Sequence, residues 1–459
     1  MSSQPFELVV RQGKVVTEEG VQTQDIGIQS GKIAALAPSL AGDARQTIDA
    51  GGMLVFPGFI DAHTHMGIPI MNTHSIDDFE SGSVAAACGG VTTIIDFTVQ
   101  DPGQSLRESV DVRLDKAAGQ SHIDFALHVN ITDQPEKRLA EIPDLVAQGL
   151  TAFKVFSTYR QAGMMVTWEQ FRQVLECVNA HGGLLCLHAE ENDLVESLTD
   201  QNVAAGNVTP PYHPRSRTAE AEARAIARAA EIAGELDAPL YIVHLSSRAG
   251  LEAGLHAREQ RVKLYLETCP QYLVLSEEIY QSENGHYWIT TPPLRTRDDN
   301  EALWQALAEG QIDVVATDHC PFTIAQKEKG GQRFHLTPNG IAGVETLFPL
   351  LYTYGVARGR ISLEKLVEVL AGNPARIFGL SHRKGALKVG ADADLVIWEP
   401  SAEKPLHSTR LHGNADWSPY EGFGIAGNVT YTIQRGRILV QHRTFIGENL
   451  FGDHLAATP

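Results

Sequence analysis

The chain has 459 residues, 43% hydrophobic and 20% charged, with a formal net charge of −19, enough for a large core and a second domain beyond a barrel of about 250 residues. The acidic balance, with no basic run to offset it, disfavours nucleic acid and anionic membrane surfaces as partners. No apolar run approaches the roughly 20 residues that span a bilayer, and the start lacks a basic segment followed by an apolar core, so a soluble, cytoplasmic protein is expected.

Residues 1–55 read as the first part of a small β-domain. Apolar residues alternate in Glu7-Leu8-Val9-Val10 and Ile26-Gly27-Ile28, with turns at Gln12-Gly13 and Ser30-Gly31-Lys32. Residues 56–370 carry the main body. Eight β-like apolar runs follow one another: Met53 to Ile60, Thr92 to Phe97, Ile123 to Val129, Leu150 to Phe153, Gly183 to Leu187, Leu240 to Val243, Val262 to Glu267 and Ile312 to Thr317. The stretches between them are long enough for crossover helices, and the continuous apolar character of TAFKVF or LLCLH suits strands buried on both faces. This pattern predicts a (β/α)8 TIM-like barrel. Residues 371–459 are expected to supply its last helix. They then return to the alternating texture in Gly385 to Gly390, Asp394 to Ile397 and Thr430 to Val440, so both chain ends should join in one small β-sandwich.

In such a barrel, functional residues gather at the C-terminal ends of the strands. His63 and His65, Lys154, His188, His244 and Asp318 all stand at such ends. The strand period of two points the imidazoles of His63 and His65 to one side, where they can share a cation. Alone, the pair could equally be two hydrogen-bonded histidines at a strand edge. Lys154, within Phe153-Lys154-Val155-Phe156, would be buried, and an unpaired buried ammonium is costly or loses its proton. A neutral lysine can capture carbon dioxide as a carbamate, whose two oxygens can bridge two cations; a structural or Schiff-base lysine is the alternative. His188 and His244 close their strands before polar residues, which suggests side chains exposed at the barrel mouth and serving a second metal ion. Asp318 could ligate one ion and take a proton from bound water, or simply cap a turn. Imidazole and carboxylate suit zinc, and two divalent ions about 3.5–4 Å apart can bridge a hydroxide, with the pKa of such water near 7. The five cysteines, Cys88, Cys177, Cys186, Cys269 and Cys320, lack metal-site spacing and read as reduced thiols.

Ordered motifs extend this reading: PGFIDAHTH (57–65), FKVFSTYR (153–160), LHAE (187–190), VHLSS (243–247), ETCPQYL (267–273), TPPLR (291–295), ATDHCPF (316–322), PNGIAGVE (338–345) and NPARIFGL (373–380). In these the chain resembles the cyclic amidohydrolases, specifically the dihydropyrimidinase and hydantoinase branch of the amidohydrolase superfamily. The resemblance implies two zinc ions bridged by N6-carboxylated Lys154, with His63, His65, His188, His244 and Asp318 completing the ligand set. It further implies Tyr159 as an oxyanion donor, Thr291 and Asn339 as main-chain substrate contacts, and a homotetramer.

The implied reaction is attack of a bridging hydroxide on a ring carbonyl of a 5,6-dihydropyrimidine or 5-substituted hydantoin. Asp318 would shuttle the proton to the departing nitrogen, and an N-carbamoyl amino acid would leave. Gly67 stands where dihydroorotases carry a carboxylate-gripping arginine, which favours a neutral ring. Met66, Phe156 and Gln161 to Met165 are candidates to contact its substituent. Thr346-Leu347 departs from the acidic residue and arginine common after the GVE stretch. An allantoinase-type cyclic ureide hydrolase and a non-catalytic scaffold of the same branch are the alternatives.

Overall fold

The computed structural model describes residues 6–41, 44–448 and 450–458. Its centre is an eight-stranded parallel sheet: Phe59–Thr64, Val91–Phe97, Asp124–Asn130, Ala152–Phe156, Leu184–His188, Leu240–Ile242, Leu264–Thr268 and Val314–Val315, paired in that order. A bridge between Thr64 and His319 brings the last strand's end back to the first, so the barrel is nearly closed. Its interior holds Ile60, Ala62, Ile95, Ala126, Cys186, Tyr241 and Val314, with Phe378 and Leu455 packed against them. Cys88 and Cys186 are buried in the apolar clusters, and all five cysteines are free thiols.

The β-sandwich expected from the chain ends takes the form of one continuous mixed sheet of nine strands. Phe6–Thr17 pairs with Gly20–Gln29, and Leu54–Pro57 pairs with both Phe6–Thr17 and Leu395–Pro405, so the two ends of the chain share hydrogen bonds. Leu8, Ile26, Ile28, Val55, Leu395 and Ile433 form its core.

One expectation is corrected here. Met53 to Ile60 is not a single barrel strand: Leu54–Pro57 belongs to the terminal sheet and Phe59–Thr64 to the barrel. The chain changes sheets at Gly58, where a Cβ would lie 2.2 Å from Thr92 Oγ1. A run apolar on both sides of this switch looks continuous because both sheets bury it.

Barrel and terminal sheet are joined below the strands by a buried charge cluster. The Lys384 ammonium lies 2.5 Å from Asp124, 3.0 Å from Asp392 and 2.6 Å from Asp394, filling the space between three clustered carboxylates as a metal cation would. Lys384→Met would leave Asp394 without a charged partner among the described residues, with Asp124 keeping only Arg435 and Asp392 only Lys32 and Arg383, and is expected to cost about 3–5 kcal/mol of stability, read by denaturant unfolding. The cluster also sets a pH dependence. Burial raises the Asp392 pKa, but Lys384, Lys32 and Arg383 together outweigh it and hold the carboxyl at about 2, below its ordinary 3.8. A depressed folded-state pKa contributes stability that is full above the ordinary value, so this contribution should fade as pH drops from about 4 towards 2.

Among the described residues, no helix is long and apolar enough to cross a membrane.

Candidate active site

Side-chain alternation aims the reactive groups. Ala152, Cys186 and Ala316 point into the barrel interior, and residues two further on, Lys154, His188 and Asp318, stand above them at the C-terminal ends of their strands. The first strand reaches the same end differently: its pairing with the second shifts register between Asp61 and Thr64, and such an irregularity re-aims side chains. There His63 and His65 lie with ring centroids 5.1 Å apart. Three site residues, Tyr159, His244 and Asp318, adopt positive φ of 69°, 41° and 55°. Non-glycine residues held there cost of order 1–3 kcal/mol each and tend to mark functional sites.

The six candidate ligands, with Tyr159, Thr291 and Asn339, line one cavity of about 750 Å³. Asp318 Oδ1 is 2.9 Å from His65 Nε2 and 3.3 Å from His63 Nε2. The His188 and His244 rings are 4.5 Å apart, and His244 is 5.5 Å from His63. Lys154 is 1% exposed, its ammonium 5.3 Å from the ring centres of both Phe97 and Phe156.

The electrostatics suit metal ligation. Burial lowers the His63 and His244 pKa values well below the ordinary imidazole range, so both rings are neutral donors. For Lys154, burial brings the pKa down to about 8 despite nearby Glu267 and Asp318. Burial would raise the Asp318 pKa, yet His63 and His65 hold it below the ordinary carboxylate value, leaving it ionised at neutral pH. The nitrogens His65 Nδ1 and His244 Nδ1 are buried without a hydrogen-bond partner. Neutral imidazoles converging on an ionised carboxylate and a buried amine are a donor set that fits divalent cations.

A supporting layer escaped sequence reasoning. Glu267 pairs with His63 Nδ1 at 2.8 Å and also accepts hydrogen bonds from the Tyr241 hydroxyl and the His244 amide, which fixes the His63 ring with Nε2 towards Asp318. Glu190 pairs with His188 Nε2 at 2.7 Å and with Arg217, whose guanidinium lies 5.0 Å from the Tyr159 ring centre. Burial would raise the Glu190 pKa, but Arg217 and His188 bring it to about 2. The one available signal was an acid ending an otherwise apolar strand, as Glu267 does.

Two expectations are corrected. His188 and His244 are only 2% and 3% exposed, so they sit below the mouth rather than on it. Met66 does not contact the cavity; it is buried against Gly82, and the lining comes instead from Ile68, Pro69, Ile70 and Met71. Of the segment 161–165, Gln161, Ala162 and Met164 line the cavity, as does Phe156. Thr346 and Leu347 lie away from it: the Thr346 hydroxyl donates to Gly343 O, and Leu347 begins a helix buried in the core. Their departure from the family pattern is therefore a matter of helix packing.

Fold and site together define a barrel enzyme whose polar groups converge at the C-terminal ends of its strands. The sequence model of the amidohydrolase family matches residues 54–439. A D-hydantoinase from Ralstonia pickettii is 39% identical over 98% of each chain, and a D-phenylhydantoinase from Escherichia coli is 41% identical over 98% of each. The crystal structure of a dihydropyrimidinase from Brevibacillus agri superposes with a TM-score of 0.96 at 35% identity, over 98% of each chain. An L-hydantoinase from Arthrobacter aurescens gives 0.91 at 30% identity, over 98% of this chain and 100% of that one. The chain belongs to the amidohydrolase family, in its dihydropyrimidinase and hydantoinase branch, and is a cyclic amidohydrolase.

Proposed function

We propose that the enzyme opens 5-substituted hydantoins or 5,6-dihydropyrimidines to N-carbamoyl amino acids. Convergence of six ligand-type side chains in one cavity carries this reading, and the relatives named D-hydantoinase support its substrate class. His63, His65 and Asp318 would hold one divalent cation, His188 and His244 a second, and Lys154, as its carbamate, would hold both; zinc suits this donor set. Bound there, the pair would supply a water nucleophile active at neutral pH and polarise the ring carbonyl.

The protein's own groups do the rest. Asp318, ionised and facing the cavity, takes the proton released on attack and returns it to the departing ring nitrogen. Burial raises the Tyr159 pKa, so its hydroxyl stays protonated and can donate to the oxygen that gains charge. Thr291 and Asn339 present peptide groups to the ring amide. Among the described residues no hydrogen bond uses those peptide groups, which leaves them available to substrate. Ile68, Ile70, Phe156 and Met164 give the ring substituent an apolar wall.

The test is ring opening of dihydrouracil, both enantiomers of 5-substituted hydantoins, allantoin and dihydroorotate, with metal content measured on the same sample. Opening of a hydantoin or dihydrouracil with about two metal ions per chain is the expected result. Activity confined to allantoin or dihydroorotate would refute the substrate assignment, and a chain that binds no metal in zinc-supplemented medium would refute the metal centre.

A further inference from the structure

Lys327 is fully buried, in the short helix Ile324–Glu328, and takes no part in the chemistry described above. No carboxylate lies within 4 Å of its ammonium among the described residues, although buried charges are ordinarily paired. Instead Nζ donates to two main-chain carbonyls, Ile289 O at 2.9 Å and Pro338 O at 2.7 Å, with the Phe322 ring centre 5.4 Å away. These carbonyls belong to two loops distant in sequence. Ile289 lies two residues before Thr291, and Pro338 immediately before Asn339.

The same two loops also meet directly: Gly340 N donates to Ile289 O, the carbonyl Lys327 reaches, at 3.0 Å, and from outside both loops His213 Nε2 pairs with Thr290 O at 2.8 Å. The peptide groups flanking Thr291 and Asn339 are thus tied down, while those of Thr291 and Asn339 themselves are left open to the cavity. Gly340 suits this junction: at φ 138° it occupies backbone space that side chains rarely adopt, and a Cβ there would lie 2.4 Å from Cys320 O.

We propose that Lys327 is a positioning residue that clamps the 289–291 and 338–340 loops at the separation a cyclic amide needs. The inference rests on the reading that the main chains of Thr291 and Asn339 hold the ring. A fixed pair of main-chain arms contributes binding common to ground and transition state, so loosening it raises KM more than it lowers kcat. Burial brings the Lys327 pKa down to about 7, and that desolvation cost is retained without a compensating acid.

The test compares wild type with Lys327→Met, using the ring that wild type opens fastest and its analogue methylated at the ring nitrogen remote from the scissile bond. Wild type should discriminate against the analogue. Lys327→Met should raise KM for the parent ring by roughly tenfold or more, with kcat within about threefold, lose most of that discrimination, and keep its metal content. Lys327→Gln, which keeps an N–H donor group on a shorter, neutral side chain, should fall between the two and reads the same split if the methionine variant does not fold. Unchanged KM and discrimination in a folded variant would overturn the clamp alone. A wild type indifferent to methylation would overturn the main-chain reading, and the clamp with it.

Discussion

Lys154→Met is expected to lose at least about 10³-fold in kcat/KM, because the residue proposed to bridge both cation positions is replaced by a side chain that would bind neither. Metal content should fall from about two ions per chain to one or fewer. The reason is specific to this lysine. It is 1% exposed, beside Phe97 and Phe156, and within electrostatic reach of Asp318 on one side and of His188 and His244 on the other. Methionine matches it in length and apolar stem, so the loss would reflect chemistry rather than a cavity. Folding provides the control: removing a buried ammonium also removes its desolvation cost, so metal-free Lys154→Met should unfold at no lower denaturant concentration than metal-free wild type. A variant with full metal occupancy and near-normal turnover would show that Lys154 is structural.

The second large effect is expected at Asp318. Asp318→Asn keeps the size of the side chain and removes its charge and its capacity to hold a proton. Turnover should fall by about 10²–10⁴-fold, the range associated with a positioned general acid–base group. His63, His65, Lys154, His188 and His244 remain, so most of the bound metal should remain too. The carboxylate is well placed for the role: it lies 2.9 Å from His65 Nε2, faces the cavity, and is held ionised against its burial by His63 and His65. Near-normal turnover with both ions present would assign Asp318 to ligation alone.

The two substitutions read different things. Loss of metal with loss of rate marks a residue that builds the centre, and loss of rate with metal retained marks one that works within it.

Much of this architecture was legible in the residues themselves. Parallel strands buried on both faces must be apolar throughout, so every barrel strand but the first stood out, and a charged or imidazole side chain ending such a run is conspicuous at Lys154, His188 or Asp318. The groups that support them were less visible. Glu267 meets His63 across 204 positions and Arg217 meets Glu190 across 27, and nothing local to those residues encodes the pairings, whereas Glu190 stands only two residues from the His188 it supports. Met66 shows the limit in the other direction. It follows His65 directly and was expected beside the substrate, but the turn at Gly67, with φ 59°, carries the chain on while the Met66 side chain packs down onto Gly82.

The sequence by itself determined the barrel, the sheet shared by the chain ends, and which polar side chains stand at the ends of apolar strands, because burial periodicity along a strand is a local property. Only the tertiary structure decided where the Met53 to Ile60 run divides between two sheets, that His188 and His244 lie beneath the mouth, and that Lys327 joins two loops without an acid partner. Those outcomes depend on which distant segments meet across the barrel end, and long-range packing rather than local preference sets them.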